Sequence, residues 1–472
     1  MNNNGFPPPK ILIYGDSPVP TGFGRIDGAI GRYLVAHGYQ VVGQSLQFDG
    51  LLPHALPYWI GSLQGKDVGQ GYFGFARVVG QVAKAFQPDV IISVQDFPYH
   101  EALRVASAID WSTCAHIVIT PVDGVPINSQ WVRVAKQFDA LMTISEFGVE
   151  AFRQAGQRVT LCPPGVDTHE FRRLPDVERA ALRERLRIPP TAFVVGVMAM
   201  NQGRKDFPRM VRGFAEAFRD APDALLYLDC EKVSPGGWDI VESLVKPNRL
   251  DPARVLFREQ AVGAGLQDLN ARYNLLDLHM VIAHREGYGL PHAEAMATGI
   301  PSVTMDYCSG REIIGDNARG WLIPGTPDDY GTWGGATDYN ADVTALTAAL
   351  RDAYDHPAER IARGARGLAW VTQERTWERA CLALDGVLTE VLDKRREDLR
   401  RKYAMPMIPM PQAIPQMPAG IPLPQIIIQG PVHIHANTPM EMAQALVDTQ
   451  SQPVALIEQR ADGREPVESD AT

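Results

Sequence analysis

Short apolar runs separated by helix-length amphipathic stretches set the strongest limit on what this chain folds into. KILIY (Lys10–Tyr14), QVVGQSL, DVIISV (Asp89–Val94), AHIVIT (Ala115–Thr120) and ALMTI (Ala140–Ile144) are compact and apolar at consecutive positions. Strands of that kind are buried on both faces, which requires a parallel sheet covered by helices. Between the first two, Ile26, Ala29, Ile30, Tyr33, Leu34 and His37 recur at helical spacing, and Gly38 supplies a stop. The rhythm pauses over PPGVDTHEFRRLPD (163–176) and restarts with FVVGVM (Phe193–Met198). An amphipathic helix carrying Phe207, Met210, Val211, Phe214 and Phe218 follows, then the strands ALLYL, RVLF, LHMVIA and PSVTM. The pattern predicts an α/β protein of two doubly wound domains in tandem, hinged near residues 165–190. Ligands of open parallel sheets sit beyond the carboxyl ends of the strands, so the expected site is a cleft between the two domains.

Composition removes other classes. The chain has 472 residues, which at roughly 150 residues per domain suggests about three units. Lys and Arg number 45 against 55 Asp and Glu, a net charge of -10, so there is no global attraction to nucleic acid or anionic lipid. No apolar run of about 18 residues occurs, and MNNNGFPPPK lacks the apolar centre of a signal peptide. The five cysteines (Cys114, Cys162, Cys230, Cys308 and Cys381) are dispersed and form no CxxC pair. They read as small buried hydrophobes in a reducing compartment, and the expected location is the cytoplasm.

The expected organisation is a tail over 1–9, an N-terminal domain over 10–170 and a second domain over 171–373. A long helix follows over 374–402, then a Pro/Met-rich linker over 403–424, a small strand/helix module over 425–460 and a disordered acidic tail over 461–472. Seven prolines and four methionines between Arg401 and Pro424 exclude a helix there. KRREDLRRK (394–402) reads as a solvated helix end, with anionic lipid or nucleic-acid contact as its alternative, HIH (433–435) as strand alternation rather than a metal pair, and YFGF (72–75) as core packing, with an acceptor or lipid contact as its alternative.

Four constellations carry chemistry. In Glu286-Gly-Tyr-Gly-Leu-Pro-His-Ala-Glu294, Gly287 and Gly289 permit a tight loop, and Pro291 suits a helix start. That helix presents its N-terminus to the cleft, with Glu294 expected in its first turn and both carboxylates directed into one pocket. Asn201-Gln-Gly-Arg204-Lys205 places two cations beyond the strand FVVGVM, suited to a diphosphate. TGFGRI (21–26) is a glycine loop after the first strand, with Asp16 and Arg25 nearby and given no role. TPVDGVPIN (120–128) places Asp123 at a strand end, either as a cleft carboxylate or as part of an Asp-Gly turn; the Asp96 loop lines the same end more weakly. His116, inside an apolar strand, reads as structural.

At these residues the chain resembles the retaining nucleotide-sugar glycosyltransferases of family 4, whose fold is GT-B and whose signature is E-x7-E. Several other segments are similar to the family in the right order: REIIGDNARGWLIP (311–324), the hinge PPGVDTHEF, ISEFGVEAF before it, and TWERACLALDGVL, the helix that crosses back to the first domain. The similarity spans about residues 10–395. It implies transfer of a sugar from a UDP-, GDP- or ADP-linked donor to an unidentified hydroxyl acceptor, with retention of configuration and neither cofactor nor metal. The acceptor is left open among glycan, lipid, protein and modified nucleic-acid base, and the C-terminal module is a candidate partner contact.

The resemblance also assigns roles. Glu286 meets the sugar hydroxyls, Gly287, Tyr288, Gly289 and Leu290 lie near sugar and diphosphate, and Glu294 holds the ribose. Arg204 and Lys205 stabilise the leaving group, and Gly22 and Gly24 approach the diphosphate from across the cleft. The chain departs from the family in two places: Arg204 and Lys205 are adjacent, and Val122 stands where many members carry a histidine, with Asp123 beside it. Two other readings accompany this one, a sugar-nucleotide isomerase or epimerase on the same fold and a non-catalytic nucleotide-sugar-binding or assembly protein.

Overall fold

In the computed structural model the first sheet grows outward from Ile11, Leu12, Ile13 and Tyr14, all essentially inaccessible to solvent. The structure describes residues 8–402 except 49, 51–55, 63–69, 258–265 and 334. The expected linker, C-terminal module and acidic tail, His433, His435 and the first seven residues lie outside the described residues.

The first domain contains β1 (Lys10–Gly15), α1 (Gly22–Ala36), β2 (Gln40–Ser45), β3 (Trp59–Gly61), α2 (Gly71–Phe86) and β4 (Val90–Val94). It continues through α3 (Phe97–Ala106), β5 (Ala115–Thr120), α4 (Ser129–Ala135), β6 (Ala140–Thr143), α5 (Glu146–Gln154) and β7 (Thr160–Leu161). Its seven strands pair in parallel in the order β3-β2-β1-β4-β5-β6-β7. After α6 (Asp176–Arg185) the second domain runs β8 (Phe193–Met198), α7 (Phe207–Ala217), β9 (Ala224–Asp229), β10 (Val255–Phe257), α8 (Leu266–Tyr273) and β11 (Leu278–Met280). It ends with α9 (Leu290–Ala297), β12 (Ser302–Met305), α10 (Gly310–Ile314) and β13 (Gly320–Ile323). These six strands are parallel in the order β10-β9-β8-β11-β12-β13.

The strand order reverses once in each sheet, between β1 and β4 and between β8 and β11. A crevice opens outside the carboxyl ends at each such point. The candidate residues around 16, 96, 203 and 286 all follow these four strands. The helix after β8 shows how the layers are held: Phe207, Met210, Val211 and Phe214 of α7 are fully buried on one face. Each such side chain contributes about 1.5–3 kcal/mol relative to exposure.

An antiparallel pair absent from the sequence reading, β14 (Gly325–Trp333) with β15 (Ala336–Ala341), follows β13. The chain then forms α11 (Val343–Asp355), α12 (Pro357–Glu374) and α13 (Trp377–Lys402). The last of these returns to the first domain. Tyr39 Oη donates to Asp385 at 3.4 Å, and Arg395 donates to the carbonyls of Trp111 and Ser112 at 2.9 and 2.7 Å.

All five cysteines are buried, and His116 is buried with its Nε2 2.7 Å from Ser93 Oγ. The expectation of core packing for YFGF holds only in part. Phe75 packs against the core, but Tyr72 and Phe73 are 43% and 53% exposed because they lie on the outer face of the first turn of α2.

Candidate active site

The second-domain wall is built where β8 ends. The chain closes a short 3-10 turn over Gly203–Lys205, which turns Lys205 inward and leaves Arg204 about one-third exposed. Lys205 Nζ meets Glu286 Oε2, and Arg204 Nη1 lies 3.6 Å from the same oxygen while donating to the Arg285 carbonyl at 3.2 Å. Burial opposes ionisation of Glu286, but the Lys205 and Arg204 charges override it and hold its carboxyl down at about 2. Burial likewise lowers Lys205, against the pull of Glu286. The pair is a charged hydrogen bond at a strand end.

Beyond Glu286 the loop turns sharply, as expected. Gly289 adopts φ +90°, and a Cβ on Gly287 would stand 2.7 Å from Pro121 Cβ of the first domain, so a side chain there would wedge the walls apart. Ser309 Oγ fixes the loop by donating to the carbonyls of Tyr288 and Glu286 at 2.7 and 3.2 Å. The Tyr288 ring turns into the hydrophobic core, so its backbone is what the loop offers to the cleft. Leu290 begins α9 with Pro291 in the first turn.

Glu294 is the fifth residue of α9, in the second turn and not the first, because the helix starts only at Leu290. Its partners also differ from those of Glu286. Tyr273 Oη donates to Glu294 Oε2 at 2.7 Å, and Arg25 of the first domain meets Oε1. Under the Glu286 loop, the ring of His292 packs edge-on against His279 at 4.9 Å. Burial outweighs the nearby Glu286 and holds His292 neutral, with its pKa at about 4.

The first-domain wall is acidic. Asp16, at the end of β1, accepts from Thr21 Oγ1, Gln47 Nε2 and Gln95 Nε2 at 2.9, 3.1 and 2.7 Å. Asp96 opens α3, and burial, reinforced by Asp123, pushes its carboxyl up to about 6. Burial also raises Asp123, which lies 3.9 Å from Arg285 Nη1, while Arg285 Nε meets Asp338 of β15. Thr337 N donates to the Val125 carbonyl at 3.0 Å, and the Cys308 thiol donates to the Asp123 carbonyl at 3.1 Å. The β14–β15 ribbon thus ties the Asp123 loop to the second domain.

The two glycines of the first loop differ. Gly24 gives its amide to the Thr21 hydroxyl at 2.9 Å, and a Cβ there would lie 2.0 Å from the Val19 carbonyl. Gly22 is exposed and faces Leu290, where a Cβ would meet Cδ1 at an ordinary 3.7 Å. The structure therefore brings Glu286, Arg204 and Lys205 into one cluster near Asp123, and Gly22 opposite Leu290. Sequence reasoning gave no role to Arg25, Asp16, Tyr273, Arg285 or Asp338. Most of their partners are distant in sequence, and the signal was the adjacency of Asp16 and Arg25 to the glycine loop. Among the described residues no group of three or more His, Cys, Asp or Glu is arranged to hold a metal ion. No helix among them is long and apolar enough to cross a membrane.

Two parallel Rossmann-like sheets with their switch points turned to a common cleft define the GT-B architecture. It is shared with the Anabaena protein Alr3699/HepE, solved in complex with UDP and glucose (TM-score 0.64, 19% identity, covering 81% of this chain and 100% of that one). Residues 262–331, which include the whole Glu286–Glu294 segment, match the family described as Glycosyl transferases group 1. The chain is 26% identical over 276 residues to a GDP-mannose-dependent alpha-(1-6)-phosphatidylinositol monomannoside mannosyltransferase of Mycolicibacterium smegmatis, covering 56% of this chain and 65% of that protein. It is 32% identical over 233 residues to a D-inositol 3-phosphate glycosyltransferase of Kineococcus radiotolerans, covering 47% and 51%. The chain thus spans between half and two thirds of the length of these curated relatives.

Proposed function

We propose that the protein is a glycosyltransferase that moves a sugar from a nucleoside-diphosphate donor to a hydroxyl acceptor, with retention of configuration and without a metal. The observation that carries the reading is the Lys205–Glu286–Arg204 cluster at the β8/β11 switch point, beside the N-terminus of α9. A diphosphate entering there finds two cations and a helix dipole, which supply the charge stabilisation that a departing nucleoside diphosphate needs. Glu286, ionised at any physiological pH, accepts from sugar hydroxyls and so fixes the sugar beneath the acceptor. The family resemblance assigns Glu294 to the ribose.

The acceptor oxygen forms the new bond to the anomeric carbon on the face from which the diphosphate leaves. The bond from that carbon to the phosphate oxygen breaks with its electron pair going to the phosphate, and the acceptor proton passes to the departing oxygen. Retention rests on the family resemblance. Asp96 and Asp123 line the opposite wall and are assigned to the acceptor. The relatives named for GDP-mannose make GDP-sugars the first donors to try, and those named for inositol phosphates make inositol-based acceptors a starting point.

A thermal-shift panel of UDP, GDP, ADP and their common sugars tests the donor, with stabilisation by at least one set expected and its loss in Arg204→Ala with Lys205→Ala. Product analysis then decides the reaction. Isomerised sugar nucleotide in the absence of acceptor, or transfer unchanged in Glu286→Gln, contradicts the proposal.

A further inference from the structure

We propose that Arg25 is a latch across the cleft: it holds Glu294, and an incoming nucleotide sugar takes it over by offering the diphosphate in exchange. The inference rests on the nucleotide-sugar reading above and adds to it how the cleft responds to its donor.

Three elements converge on this guanidinium. Arg25 belongs to the first turn of α1 in the first domain, Glu294 to α9 in the second, and the ring of Phe171, from the segment joining them, lies 5.8 Å from Arg25 Cζ. Glu294 is only 2% exposed, and both of its oxygens are engaged, one by Arg25 and one by Tyr273. A hydroxyl from a ligand reaches this carboxylate only when Arg25 moves.

The guanidinium is itself incompletely paired. Its Nε is buried with no hydrogen-bond partner, which is costly for a charged donor out of water. The surroundings ask for an anion stronger than one carboxylate. Gly22 at the start of α1 and Leu290 at the start of α9 approach each other, so two helix N-termini with the same partial charge confront one another with an arginine between them. Glu294 is the anion that meets the guanidinium there. A diphosphate carries more charge, presents several acceptor oxygens to a planar donor fork and suits helix N-termini. Exchange leaves Glu294 free for the ribose hydroxyls at the moment the phosphates arrive.

A latch of this kind weakens ligands that need Glu294 but cannot recruit Arg25, because only the unlatched fraction binds them. The test is calorimetry of the full chain with guanosine, GDP, uridine and UDP, on the wild type, Arg25→Met and Arg25→Lys. Methionine keeps the stem packing on Phe171 and removes the charge, and thermal unfolding confirms the fold. In Arg25→Met the nucleoside should bind about fivefold tighter, since nothing competes for Glu294. The matching diphosphate should bind about tenfold weaker, since a charged contact is lost. The preference for diphosphate over nucleoside then collapses, and Arg25→Lys restores part of it. Solution scattering of empty Arg25→Met should show a larger radius of gyration. An unchanged preference, or equal weakening of nucleoside and diphosphate, overturns the latch while leaving the donor reading intact. Absence of binding by all four compounds to the wild type instead overturns the nucleotide-sugar reading, and the exchange with it.

Discussion

Glu286 and Lys205 each make the other tolerable where they sit. A buried carboxylate alone is driven neutral, and a buried ammonium alone loses its proton, but together they stay charged. Lys205→Met should therefore cost on the order of 2 kcal/mol of stability, more than a surface lysine would, because it strands an anion. Adding Glu286→Gln should recover part of that loss, and the coupling in a double-mutant cycle of unfolding free energies checks it. Additive losses would mean that the two groups act independently. On activity, Glu286→Gln should lower transfer about 100-fold or more. The cluster was legible in the sequence because both halves lie in short segments with strong local signals, a glycine loop and a pair of adjacent cations. Arg25 and Glu294 were not legible as a pair. Nothing within either segment marks the other as its partner, 269 positions away by their numbering, and only the placement of two whole domains joins them.

The elements divide in the same way. The parallel strands could be read from sequence because burial on both faces leaves consecutive apolar residues, as in Val90–Val94, where every residue is buried. The β14–β15 ribbon was passed over although its WGGA turn is a hairpin signal. Its first strand begins Gly-Thr-Pro-Asp, with a proline and an acid where a strand normally alternates apolar residues, and a register irregularity falls between Asp328 and Thr332. The glycine loop before α1 was read as one motif, whereas its glycines do different work. Gly24→Ala forces a Cβ to within 2.0 Å of the Val19 carbonyl and should cost on the order of 2 kcal/mol, seen as a lower thermal midpoint. Gly22→Ala meets only an ordinary contact and should leave the midpoint in place while weakening nucleoside diphosphate binding. Equal loss of stability in both variants would show that the loop is a structural turn throughout.

At the scale of the whole described molecule, three of the contacts that join the two domains differ in chemistry. Arg25 meets Glu294 at one side, the β14–β15 ribbon meets Val125 at another, and Glu312 of α10 receives the first amides of α5. The third is where pH enters. Glu312 Oε2 accepts from Glu146 N at 2.6 Å and Phe147 N at 3.3 Å, while its Oε1 is buried without a partner. Burial raises the carboxyl to about 7, with Glu146 adding to the shift, while the two amide bonds and Arg375 oppose it. Since the folded value lies above the ordinary 4.5, the group favours the joined state when neutral. Its contribution is complete below about 4.5 and is lost as the pH rises through about 7. The contact between α10 and α5 should therefore loosen between pH 5.5 and 8, seen as falling hydrogen-exchange protection at Glu146 and Phe147, relative to the intrinsic rate at each pH, and a lower thermal midpoint. Glu312→Gln keeps an acceptor oxygen for both amides and removes the charge, so protection there, taken relative to the intrinsic exchange rate at each pH, should become flat across this range and higher than wild type at pH 8. Arg25 belongs to the separate contact with Glu294, so Arg25→Met should leave the slope as it was. A slope that survives in Glu312→Gln would assign the pH response to another group and remove Glu312 from domain closure.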